Sequence, residues 1–405
     1  MAKTAAPPKA ATAKPAEGRP TDVVQKAAAV AKKVAALRHD LALAHGLAHD
    51  AQVREALTRT ELTLALAAAL KGRAEAEASA RRDAVARLAA RAGTPPSPPS
   101  RNGQRLLRRL GLAGEIRVIA GSGLWRGGNL TEINLYARRK VDPTATPLSL
   151  FDQAWYLETH PDALAFGRSP LTHYIARGAA AGAWPHPLFD PVHYQHNAPD
   201  LGGLLPLAHF IHVGAWQARD PHPLFDIAHY ASQRPDFAAN EDPVSHYVRQ
   251  GWRDGLSPHP LFDPAWYRAQ MPRQAAEVPP LLHYLAQGWR EGLSPHPLFD
   301  PRWYLEQYED IAAAGFEPLA HFLGSGAAEG RSPSPWFDLP HYAAARGAAL
   351  DPAVNPLVDY LRGGAWEVAE ARPGFPTAAY LAQSPELVAQ GITPLEHWAR
   401  RAARP

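Results

Sequence analysis

The 405-residue chain has no cysteine. This excludes a disulfide-braced scaffold, a thiolate metal centre and a cysteine nucleophile, and it fits a reducing compartment. Long apolar runs are also absent: none approaches the roughly 20 residues that a membrane-spanning helix needs. The opening MAKTAAPPKAATAKPAEGRP is basic and rich in Ala and Pro, without the apolar stretch of a secretory signal. A cytoplasmic protein with no transmembrane segment is expected. Enzyme signatures are missing as well: there is no HExxH, P-loop, GxSxG or metal-holding DxD pair. GSG at 121–123 follows the apolar run IRVIA, but GSGLWRGG does not complete GxGxxG, so a turn is expected there. No catalytic, cofactor or metal site is expected.

Proline, by contrast, is abundant, at 41 residues. Charge is divided along the chain. Residues 1–140 carry 25 Lys and Arg against 11 Asp and Glu, residues 141–405 carry 17 against 28, and Lys140 is the last lysine. So sharp a shift marks a boundary between two kinds of structure. Residues 1–20 read as a disordered basic tail, too poor in apolar surface to offset chain entropy. Residues 21–93 lack proline and are dominated by Ala, Leu, Arg and Glu, a strong helix composition. Val23, Ala27, Val30, Val34, Leu37, Leu41, Ala44 and Ala48 follow the 4-3 spacing of a coiled-coil seam. Gly46 and Gly72 are points where this helix would break or bend. Packing on its own chain, self-association and a partner helix all remain open for it, as does a membrane or nucleic-acid surface. Residues 94–103 read as a Pro/Ser linker, and 104–146 as a basic connecting segment or degenerate N-terminal cap. The arginines there come with no aromatic stacking platform, so no nucleic-acid partner is expected.

From residue 147 the sequence repeats itself. Phe151, Phe189, Phe225, Phe262, Phe299, Phe337 and Phe375 are 36 to 38 residues apart, and a Tyr stands five residues after each. A second phrase, PLxHY, follows about 20 residues after the Phe, and a Gly comes five residues beyond its His position in six of the seven units. Periods of this length indicate a stacked array. Each unit reads as two short helices. Asp-Pro after the Phe supplies an N-cap and a first-turn proline; the Pro of PLxHY opens the second helix, with Ser169, Asp242, Asn355 and Thr393 as cap-like residues before it; and the Gly ends it. One unit buries about four large side chains, each worth roughly 1.5–3 kcal/mol. That does not offset the ordering of 37 residues, so each unit must lean on its neighbours. The fold class is therefore all-α, a solenoid-like array of seven two-helix repeats at 147–405 preceded by a long helix of coiled-coil pattern.

The PLxHY histidine precedes the next capping Asp by 17 residues in five cases: His173 and Asp190, His209 and Asp226, His246 and Asp263, His283 and Asp300, His321 and Asp338. In the sixth unit the His becomes Asp359, and the Asp 17 residues on becomes Pro376. A hydrogen bond between repeats, from His to capping Asp, is expected. His186, His222, His259 and His296 sit before PLF and read as structural turn residues. His193, His196 and His212 are less regular, but structural roles outweigh a metal site. Glu241–Asp242 and Glu309–Asp310 read as solvated acids. Trp155, Trp252, Trp266, Trp289 and Trp303 recur at fixed places. They are either packing residues or a partly exposed aromatic row able to stack on sugar rings or anchor a partner.

The stretch SPHPLFDPRWYLEQYEDIAAAGFEPLAHFLGSGAAEGRSPSPWFD resembles a bacterial repeat of the form HPLFDxxYYLxxNPDVAxAGxxPLxHYLxxGxxEGRxP. That repeat is found next to glycosyltransferase domains in surface-polysaccharide, rhamnan-synthesis-type proteins, and in some secreted calcium-binding proteins. The resemblance covers about 147–405 and weakens at Asp359, Pro376 and Trp398, as a terminal cap would. GSGLW around Trp125 looks like a degenerate start of the same pattern. The resemblance implies a setting in polysaccharide assembly, in the cytoplasm or peripheral at the inner membrane, without implying catalysis. The expectation is a non-catalytic scaffold that binds protein partners such as glycosyltransferases. The alternatives are a glycosyltransferase-type enzyme and a module that binds glycan directly.

Overall fold

The computed structural model describes residues 20–92, 114–125, 130–139, 142–233, 237–238, 241–367 and 369–402, and their side chains except at 20–28, 56–60, 62 and 63. Most of the tail, the linker at 94–103 and the first part of the connecting segment lie outside these residues. Among the described residues every regular element is helical and there is no β-strand; the PHPLF turns close on single bridges such as His186 to Phe189.

Helix α1, Pro20–Arg91, runs for 72 residues without a break at Gly46 or Gly72. The chain divides into two compact units, 1–65 and 66–405. In the first, the seam residues Val30, Val34, Leu37 and Leu41 are exposed. In the second, residues 66–91 of α1 pack on the array, with Leu70, Ala84 and Leu88 buried. For this part of the helix, packing on its own chain is the arrangement found. Helices α2, Gly114–Gly121, and α3, Leu130–Arg139, pack against the first repeat. Glu115 of α2 accepts from the Ser169 amide and the Thr172 hydroxyl, and Tyr136 of α3 accepts from the Leu171 amide. Tyr247 and Tyr360 receive Leu281 and Leu395 in the same way. Tyr136 therefore behaves as the PLxHY tyrosine of a partial repeat preceding the first.

Each repeat begins with a helix such as Pro264–Gln270 or Pro301–Gln307. Its capping aspartate accepts backbone amides two or three residues on: Asp190 from Val192 and His193, Asp263 from Ala265 and Trp266, Asp300 from Trp303, Asp338 from His341. Pro376 leaves the last repeat without this cap. The second helix opens at the PLxHY proline and then, in five repeats, widens into a π-type turn, as in Pro280–His283 followed by Tyr284–Gly288. Asp242 and Asn355 cap their second helices, whereas the Ser169 side chain makes no cap bond. Asp242 is thus a buried capping residue and not a solvated acid. Consecutive repeats are joined by backbone: the amide of each capping Asp donates to a carbonyl just before the next PLF or its equivalent, from Asp152 to Pro185 through Asp338 to Ala371, at 2.8–3.1 Å.

The expected bonds from His173, His209, His246, His283 and His321 to Asp190, Asp226, Asp263, Asp300 and Asp338 are not those the structure forms. Each histidine turns back to the tyrosine of its own repeat. Tyr156, Tyr194, Tyr230, Tyr267, Tyr304 and Tyr380 place their hydroxyls 2.6–3.0 Å from Nδ1 of His173, His209, His246, His283, His321 and His397. The aspartates are instead occupied with helix N-termini, where their carboxylates satisfy amides that would otherwise lack partners. In the sixth repeat Asp359 replaces the histidine, takes the Tyr342 hydroxyl and pairs with Arg346 at 2.9 Å. A neighbouring cation, and not a compensating loss at Pro376, is what lets a carboxylate occupy this place.

The recurring glycine ends the second helix in five repeats, as expected, and it has a further role. A Cβ at Gly178, Gly214, Gly251, Gly288, Gly326 or Gly364 would lie 1.8–2.3 Å from the tyrosine hydroxyl of the same repeat. The missing side chain makes room for the Tyr–His bond. Left-handed backbone falls four residues later, at φ 75° in Gly292.

Two predictions follow from this geometry. Gly288→Ala should lower stability by about 1–3 kcal/mol, the cost of overpacking a filled core, and adding Tyr267→Phe should recover part of it, both read from urea unfolding. Arg346→Met should cost about 1–3 kcal/mol by leaving the half-buried Asp359 carboxylate without its cation. Asp359→His in that background should restore most of the loss, and no recovery would refute the proposed equivalence of the two arrangements.

Candidate functional site

Repeats three apart in sequence meet in space. Asp226 of the third repeat pairs with Arg362 of the sixth at 2.7 Å and with Arg81 of α1 at 2.8 Å. Asp263 of the fourth repeat pairs with Arg400 of the seventh, whose guanidinium also lies 5.6 Å from the centre of the Trp266 ring. Arg400 is held in turn by Glu396 at 2.7 Å. Burial alone would raise the Asp226 carboxyl, but the two guanidiniums overrule it and hold the group well below the usual carboxylate range. Asp220 nearby is pushed up to about 7 by burial and by Asp226. A small cleft of about 280 Å³ remains at this contact, lined by Asp263, His296, Leu361, Arg362, Gly391 and Thr393 of the array and by Glu77 of α1.

Two repeats earlier the same positions line a cleft of about 720 Å³. Asp190 stands for Asp263, His222 for His296, Leu285 for Leu361, Gly315 for Gly391 and Glu317 for Thr393. Trp155, Trp184 and Trp289 add aromatic wall, and Phe316, 57% exposed, sits at the rim. The reason for the opening is legible in the register. Positions 286, 324, 362 and 400 each follow the PLxHY histidine position by three residues and read Ala, Gly, Arg, Arg. Where the later contact is filled by Arg362 and Arg400, the earlier one has Ala286 and Gly324.

The polar groups of the open cleft are accounted for locally. Asp190 caps its helix and, among the described residues, has no cation paired to it. The Glu317 carboxyl is pushed up to about 7 by burial, although it accepts from Tyr284 and from the amides of Leu319 and Ala320. His222 accepts the Leu224 amide on Nδ1, and burial pushes its pKa down to about 3. His186, His259 and His296 accept amides in the same way, which fits their expected turn role. Arg290 lies 4.2 Å from the centre of the Trp289 ring and donates to the Ala286 carbonyl.

The five singled-out tryptophans do not form one row. Trp155 and Trp289 line the cleft, the first half-buried and the second buried. Trp252 is buried beneath Arg253 and Arg268. Trp266 lies under Arg400 and donates to Ser294, and Trp303 packs edge-on against Tyr308. Sequence reasoning missed Trp184, Glu317, Arg81, Arg362 and Arg400. The Ala-Gly-Arg-Arg register was present in the sequence, but it acquires meaning only once the three-repeat contact is known. Among the described residues, no group of three or more His, Asp or Glu is placed to hold a metal ion, and no helix is long and apolar enough to cross a membrane. No protein-family model, curated protein or solved structure matches the chain.

Acid should weaken the array. The imidazoles of His222 and His259 are held down to about 3, and those of His186 and His229 to about 4, chiefly by burial. Their stabilising effect is complete above the unfolded value near 6.5 and is lost as pH falls towards the folded values. Glu317 and Asp220, both raised to about 7, act in the opposite sense, but two carboxyls oppose four imidazoles. The urea midpoint should fall steadily between pH 7 and pH 4.5; a flat or rising profile would contradict neutral burial of these histidines.

Proposed function

We propose that this chain is a non-catalytic helical-repeat scaffold whose array binds protein partners in bacterial cell-surface polysaccharide synthesis. The observation that carries the reading is the open, tryptophan-lined cleft in an array whose recurring tyrosines, histidines and aspartates are bonded within the framework. The likeness of residues 147–405 to repeats found beside glycosyltransferase domains supports the setting, in the cytoplasm or peripheral at the inner membrane. Glycosyltransferases and polysaccharide-assembly proteins are the proposed partners. The exposed Val30, Val34, Leu37 and Leu41 seam of α1 supports self-association of the arm with a second copy of the chain. A second reading, direct glycan binding, is favoured by Trp155, Trp184 and Trp289 on one cleft, since flat rings stack on sugars.

The test is affinity purification of the tagged full chain from its own cells, beside a bait lacking residues 1–65. The cut falls at 65 because residues 66–91 belong to the array. Polysaccharide-synthesis proteins should accompany both baits, and untagged copies of the chain only the full one. Recovery of no such protein with either bait would count against the scaffold.

A further inference from the structure

The array closes one of its two equivalent clefts with its own arginines and leaves the other without them. We infer that the open cleft is the docking site for an arginine side chain presented by a partner protein segment. This rests on the scaffold reading and names the chemistry of the partner.

The internal comparison carries the argument. At the closed contact, an arginine arriving from three repeats away meets the helix-capping aspartate, and its planar guanidinium also lies against Trp266. At the open contact the capping carboxylate remains, since Asp190 is equivalent to Asp263. The Trp266 position of that repeat is His193, and the aromatic face on the cleft comes instead from Trp155 of the preceding repeat, which lines the cleft together with Asp190. What is missing is the donor, since Ala286 and Gly324 end where Arg362 and Arg400 extend. Among the described residues, neither Asp190 nor Trp155 has a guanidinium against it, whereas Arg290 is spent on Trp289.

Arginine suits the site better than lysine, because its fork pairs with a carboxylate while its face stacks on an aromatic ring. A peptide segment suits it better than a free cation, because the exposed Phe316 and the cleft wall of Leu282 and Leu285 call for apolar neighbours on either side of the arginine. Tryptophan pockets that receive arginine are also where binding energy concentrates at protein interfaces.

The test presents the purified full-length chain to an array of decapeptides, each with one central arginine among varied neighbours, and to the same peptides with citrulline in its place. Citrulline keeps the shape and removes the charge. Arginine peptides with apolar flanks should be retained at least tenfold more strongly than their citrulline partners. Gly324→Arg should abolish that retention by supplying the missing side chain from within; a Cβ at Gly324 meets nothing within 4 Å, so the change is accommodated. Asp190→Asn should reduce it at least tenfold, and Gly324→Ala should leave it unchanged. Retention that ignores the citrulline change, retention that survives Gly324→Arg, or no retention at all would each overturn the inference. So would blockage of a neutral oligosaccharide, and of no peptide, by Gly324→Arg. If the Gly324→Arg chain still recovers polysaccharide-synthesis proteins from cells, the scaffold stands and this cleft is not its contact.

Discussion

In six repeats a tyrosine hydroxyl occupies the space where a side chain on the facing glycine would begin, and it is held there by a histidine or, once, by an aspartate. Much else depends on this contact. It ties the first helix of a repeat to the second across a polar bond inside an aromatic core. In the fourth repeat, Phe262, Tyr267 and Tyr284 pack with ring centres 5.2–6.0 Å apart. A buried hydroxyl without a partner would cost more than its bond contributes, so the histidine and the absent Cβ are needed together. The wide turn at Tyr284–Gly288 belongs to the same arrangement, because the glycine lies at its end, against the tyrosine.

A repeat built this way is still incomplete. Its capping aspartate sends a backbone amide to the next repeat, and its second tyrosine receives an amide from the next in at least three places, counting the partial repeat before the first. Stability must then spread along the array through nearest neighbours, as in other stacked-repeat proteins. Contacts three repeats away are a separate layer. They are side chain to side chain, they vary from repeat to repeat, and the framework does not need all of them. That independence lets one stretch be locked and another left open without altering the repeat itself.

The sequence declared the framework but not this second layer. The Phe and Tyr spacing, the Asp caps and the opening prolines were legible because each recurs at a fixed offset and has a local physical role. The histidine's partner is ambiguous in the sequence because Tyr267 before His283 and Asp300 after it lie at nearly equal separations of 16 and 17 residues. The one informative substitution, Asp359, pointed to Pro376 in sequence but to Arg346 in space. The glycine's place at the helix end was legible, but its second reason was not: the tyrosine hydroxyl of the first helix occupies the space of its missing side chain. Of the tryptophans, the periodic ones proved mixed in role, and Trp184, outside the recurring tryptophan positions, lines the cleft.

The difference between the two clefts is better explained by selection for an opening than by loose packing. Ala286 and Gly324 belong to repeats whose Tyr–His bonds, caps and backbone links are as complete as those of the later repeats, so the earlier stretch is not a degenerate copy. Its walls are in fact the more aromatic, with three tryptophans, and the places of Trp155 and Trp184 are taken in the later contact by His229 and Ser257. In the later stretch α1 contributes as well, through Arg81 on Asp226 and Glu77 on the cleft, so the arm helix acts there as an internal occupant. A capping aspartate whose arginine is supplied internally in one place and withheld in another lets a repeat array tie down one stretch while leaving a cleft in the next.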